Sequence, residues 1–135
     1  MIDFPLKGHR RSDVADGVPM ETHFTLYANG AMDGVTKSWT SNSFEGAHGV
    51  AGVILYAGDH ALWFSDAHQC GVGGRLDFTG SSDRTESWKE QVPERVMEQV
   101  TGYAIVHENR GGSDFLDWVK SNASAIFSIC GVAFI

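Results

Sequence analysis

The chain has 135 residues, 42% of them hydrophobic and 20% charged, with a formal charge of −7. This length suits one domain that buries a core without disulfides or a structural metal, and the balance of apolar to charged residues excludes an unfolded chain. The acidic excess argues against nucleic acid and anionic membranes as partners, because both are bound through clustered Lys and Arg.

Residues 1–20 carry Lys7, Arg10 and Arg11 against Asp3, Asp13 and Asp16, and contain Pro5, Gly8, Gly17 and Pro19 without periodicity. They read as a partly flexible N-terminal arm, which leaves 21–135 as a single β-rich domain. The start lacks an apolar leader, and the longest apolar run, 125–135, is too short to span a bilayer. A cytoplasmic location, or release without a classical signal peptide, is expected, with no transmembrane segment.

From Thr22, Phe24, Leu26 and Ala28 alternate with His23, Thr25 and Tyr27, the period of a strand with one buried face. Asn29-Gly30 then signals a type I′ hairpin turn. The return strand through 35–41 places Val35, Lys37 and Trp39 on one face. A second hairpin joins 49–57 to 61–66 around Gly58-Asp59-His60. Its first arm is apolar on both faces, as a central strand requires, and Val53, Leu55, Leu62 and Phe64 are core candidates. After the Gly-rich bend, 75–79 alternates with Leu76 and Phe78 inward.

Residues 80–101 change in kind, being rich in charge and in good helix formers. Pro93 suits a first helical turn, Val96 and Val100 share a face four residues apart, and Gly102 ends the segment. A short helix is expected there. Residues 102–108 read as a strand, 113–122 as a short helix capped by Ser113 or as a strand, and 124–135 as a central strand. The helix or strand state of 86–121 stays open at this level. No repeat of 20 to 50 residues emerges. The expected fold is mainly β, an antiparallel β-sandwich or flattened barrel with one or two short helices; α+β is the alternative if the charged segment is helical.

Residues 49–66 resemble a stretch of actinoporin-like cytolysins, fungal fruit-body lectins and aegerolysins: a Gly-x-x-Gly strand entry, a strand ending near a Tyr, a short turn and an aromatic return strand. The resemblance covers under a seventh of the chain. It implies a sandwich, while the aromatic phosphocholine cluster of those families has no matching residues here.

Chemistry-bearing residues are scattered. His60, Asp66 and His68 provide imidazole and carboxylate around one hairpin, with 66 and 68 on the same side of an extended segment, although a plain loop role fits them better, so no metal is expected. Cys70 with His107 and Asp117 is the nucleophile, base and orienter set that an enzyme here would use. Cys70 and Cys130 otherwise read as buried thiols, or as a disulfide. No phosphate-binding loop or zinc spacing is present, and no cofactor is expected.

What remains is an excess of aromatics at strand ends, notably Tyr27, Trp39, Trp63 and Trp88. Flat apolar rings beside Asn, Asp and Gly suit a sugar, lipid headgroup or protein ligand. The leading expectation is therefore a non-enzymatic binding module, lectin-like or a toxin component, with self-association left open. The rival is a small hydrolase or metal-dependent enzyme.

Overall fold

A computed structural model describes residues 3–15, 17–40, 48–72, 83–109 and 112–133. In chain order the elements are β1 (Leu6–Ala15), β2 (Val18–Leu26), β3 (Ala31–Trp39), β4 (Gly49–Ala57), β5 (His60–Phe64), β6 (His68–Gln69), β7 (Asp83–Gln91), α1 (Glu94–Met97), β8 (Gly102–Asn109), α2 (Gly112–Cys130) and β9 (Gly131–Ala133). One antiparallel sheet has the order β1-β2-β3-β7. The other has the order β5-β4-β8-β9, with β6 also pairing β4. The fold is mainly β, two antiparallel sheets packed as a sandwich, and α2 lies on the outer face of the second sheet.

The inner face of the first sheet is built by alternation. Leu6, Gly8, Phe24, Leu26, Met32, Gly34 and Trp88 are all buried. Gly8, Phe24, Gly34 and Trp88 are successive cross-strand partners in one row. Each glycine leaves the space an aromatic ring fills: a Cβ on Gly8 would run into Phe24, and one on Gly34 into Trp88. Facing this row, Val53, Leu55, Tyr103 and Ile105 come from β4 and β8, and Val92, Val96 and Val100 close one end of the same core.

On the other side of the second sheet, Val50, Ile54, Tyr56, Ala104 and Val106 meet Phe115, Val119 and Ile126 of α2. Strand β4 is therefore buried on both faces, as its unbroken apolar run requires. Gly52 admits α2 closely, because a Cβ there would lie 2.8 Å from the Phe115 ring.

Several expectations change. Residues 6–15, read as an arm, form β1 and pair with β2 along nearly its whole length. Their inward positions are Leu6, Gly8, Arg10 and Ser12, and two polar members in four hide the period. Asn29-Gly30 does not make a type I′ turn, since among the described residues, Asn29 included, none other than glycine has positive φ. Gly30 N–H donates to the Tyr27 carbonyl at 2.9 Å, with Gly30 at φ 89. This is a turn over 27–30 that ends on a left-handed glycine, the three-residue hairpin solution.

Within 80–101, residues 83–91 are strand β7 and the helix shrinks to Glu94–Met97, preceded by Pro93 with extended ψ 145. Pairing with β3 outweighs the helix propensity of that segment. Gly102 opens β8 instead of closing a helix. Most of the C-terminal run expected as a strand belongs to α2, 19 residues long, and among its described residues Gly131–Ala133 are strand. An apolar run of that length fits a buried helix face and a strand equally well. Residues 75–79 lie outside the described residues.

Candidate functional site

A file of polar side chains crosses the sandwich beside the aromatic row. On the first sheet, Thr22 and Thr36 are cross-strand partners facing inward, and both are fully buried. His107 meets them from β8. Its Nε2 lies 2.7 Å from Thr22 Oγ1 and its Nδ1 2.8 Å from Ser12 Oγ. Thr22 Oγ1 is 3.0 Å from Thr36 Oγ1, which accepts the Trp88 indole N–H at 3.1 Å.

One run of protons satisfies this whole file. Indole N–H only donates, so Thr36 accepts from Trp88; with a neutral His107, a run from Thr36 to Thr22 to His107 Nε2, with Nδ1–H donated to Ser12, satisfies every member. A charged His107 would donate from both nitrogens and leave the Thr36 hydroxyl proton without an acceptor along this file. Burial, with Arg10 and His9 adding repulsion, pushes the His107 pKa down to about 4. The imidazole is a neutral structural member at physiological pH.

Beyond Trp88 the polar groups continue. The His68 ring stacks on the indole at 4.3 Å and 8°, and His68 Nε2 lies 2.7 Å from Glu90 Oε2, which also accepts the Asp66 backbone N–H. Cys70 is a free, buried thiol. Ser38 Oγ donates to the Cys70 carbonyl and sits 3.3 Å from its Sγ. Burial raises the Cys70 pKa. Among the described residues, no buried side-chain nitrogen or oxygen lacks a partner.

The enzyme candidates are not assembled into one site. Cys70 Sγ is engaged by Ser38 and by the carbonyls of Thr36 and Arg84, whereas His107 is engaged by Ser12 and Thr22. Asp117 is exposed on α2, on the outer side of the second sheet, while His107 faces its interior opposite Thr22. A thiol held protonated by burial, with no base against it, is a poor nucleophile. His60 is 88% exposed in its turn beside Asp59, and His68 is turned to Glu90. Asp66 and His68 thus share Glu90, and His60 stands apart.

The aromatic candidates also separate. Trp88 is buried. Trp63 pairs with Leu55 in register and packs partly against the inner core, because a bulge between Leu55 and Tyr56 turns both Leu62 and Trp63 inward. Tyr27 is exposed beside the β2–β3 turn, at one end of β3, and Trp39 ends β3 at the other. At nine residues this strand holds them roughly 25 Å apart.

Trp39 lies on the outer face of the first sheet with the Arg11 guanidinium over its ring at 5.0 Å. Beside it, Lys37, Ser38, Trp39, Asp83, Arg84 and Thr85 line an open cleft of about 420 Å³ between the ends of β3 and β7. Strand pairing makes the cleft, since Lys37 faces Thr85 and Trp39 faces Asp83.

A different trio sits farther along the same face. His9 is the cross-strand partner of His23, and Glu21 lies two residues before His23 on the same side of β2. Sequence reading missed this group because its members are up to 14 residues apart and join only through the β1–β2 register. Residues 7–13 are polar at every position except Gly8, so no alternation marked them as a strand. No helix among the described residues is long and apolar enough to cross a membrane. Comparison with protein-family models, curated proteins and solved structures finds no match.

Proposed function

We infer that the chain is a non-enzymatic binding module that takes a carbohydrate on the outer face of the four-stranded sheet, in the cleft headed by Trp39. The observation that carries this reading is the make-up of the cleft: one indole with Lys37, Asp83 and Thr85 on the same face of the sheet, open to solvent. A sugar ring has an apolar face that stacks on an indole and hydroxyls that bridge to Lys, Asp and Thr. The Arg11 guanidinium holds the indole in place, the kind of support that keeps a binding group oriented before its ligand arrives.

Charge narrows the class. The four strands of this sheet carry Lys7, Arg10, Arg11, Lys37, Arg84 and Lys89 against Asp13, Glu21, Asp33, Asp83, Glu86 and Glu90. Six cations balance six acids, so the −7 of the chain falls elsewhere. An acidic saccharide therefore meets least repulsion here, with Lys37 and Arg11 as the cations beside the indole.

A glycan array of neutral and acidic saccharides, probed with the full chain and with Trp39→Ala, tests this. Binding to an acidic saccharide is expected, weakened about tenfold or more by Trp39→Ala, with circular dichroism unchanged. Background signal from the folded wild-type chain overturns the reading, as does preferential binding to phosphatidylcholine vesicles. Full retention by Trp39→Ala removes the cleft as its site.

A further inference from the structure

We propose that His9, Glu21 and His23 form a surface site for a divalent transition metal of the zinc class. The argument begins with the backbone. Directly paired residues on adjacent antiparallel strands carry side chains on the same face about 5 Å apart, which sets His9 beside His23. Residues two apart on a strand also share a face, which adds Glu21. Strand pairing thus delivers two imidazoles and one carboxylate to one point without any loop.

The side chains already converge. His9 Nε2 lies 2.8 Å from Glu21 Oε2, and His23 Nε2 lies 3.8 Å from Glu21 Oε1. The imidazole rings are stacked at 4.3 Å. One donor atom from each residue falls within 4.8 Å of the others. Zinc bonds of about 2.0–2.2 Å to N and O in tetrahedral geometry need donors about 3.3 Å apart. Closing that difference takes small side-chain rotations, and the imidazoles are free to make them, at 49% and 57% exposure.

The surroundings leave the donors available. Arg11 is the cross-strand partner of Glu21, yet its guanidinium is drawn over Trp39. Among the described residues no Lys or Arg forms an ion pair with Glu21; its partners are the two histidines. Two nitrogens and one oxygen, with the remaining positions open to water, form the two-His, one-carboxylate set that suits zinc and its neighbours in the first transition row. No other group of three donors in the described residues meets in this way.

The test is a titration of Zn(II) into the metal-free full chain at pH 7.5, with Co(II) as a spectroscopic probe. One ion per chain is expected. Loss of a partner that merely orients a ligand costs a metal site 10–100-fold, so His9→Asn and His23→Asn are each expected to weaken binding by about tenfold or more. Glu21→Gln should act in the same direction, and His60→Asn should leave affinity unchanged. The visible Co(II) bands should disappear in His23→Asn. A folded wild-type chain that takes up no Zn(II) overturns the proposal, and so does binding that survives both histidine substitutions. Trp39→Ala should bind zinc like the wild type, so this result and that of the saccharide array are read separately.

Discussion

At the scale of single residues, His107 is the most constrained ionisable group described. The residue is 6% exposed and its ring is hydrogen-bonded at both nitrogens, and its pKa falls from 6.5 to about 4 on burial. In the unfolded chain the imidazole takes up a proton near pH 6.5, whereas in the fold it does so only near 4. Stability is therefore fully present above pH 6.5 and is lost as pH falls through the interval down to about 4. The shift corresponds to about 3 kcal/mol. Urea denaturation of the wild type and of His107→Gln should show a gap that narrows by roughly that amount between pH 7.5 and pH 4. A gap independent of pH would contradict the neutral state assigned to this ring. Nothing local predicts such a role: "YAIVH" marks a strand, but Ser12 and Thr22 lie 95 and 85 residues away.

At the scale of elements, the first sheet depends on glycines alternating with rings. Trp88 cannot easily yield to a methyl on Gly34, because its N–H is bound to Thr36 and its face is covered by His68. Gly34→Ala should therefore destabilise the fold by about 1–3 kcal/mol, the usual cost of overpacking. The readout is a lower urea midpoint at constant slope, and a neutral result would mean the ring has room to move. Alternation made the inward positions of β2 and β4 readable in advance, since Phe24, Leu26, Val53 and Leu55 are all core. It failed for β1 and β7. Arg10 and Ser12 point inward to a carbonyl and an imidazole, so polar residues occupy the face that a hydrophobic count takes as buried. In β7, Trp88 is the one apolar residue on the inward face.

At the scale of the whole molecule, the two sheets are joined across the interior by β1. Arg10 donates to the Ile105 carbonyl at 2.7 Å, Ser12 meets His107, and Leu6 joins the main core. Removing residues 1–15 should accordingly abolish cooperative thermal unfolding instead of trimming an appendage. A truncated chain that melts like the full one by circular dichroism would restore the arm reading. The sequence by itself determined the class of fold, two of the hairpins and the inward faces of β2 and β4. These are encoded by period and turn chemistry over a few neighbouring residues, and they survive any packing. Tertiary structure alone decided that 83–91 pairs as a strand and that 112–130 is helical, because neighbouring segments supply the hydrogen bonds and apolar surface that choose between two locally acceptable states. It also decided which functional groups meet. His9 reaches His23 through strand register, His107 reaches Thr22 through sheet packing, and Cys70 is kept from His107 by the same packing, since proximity between distant residues is set by how surfaces bury and not by spacing along the chain.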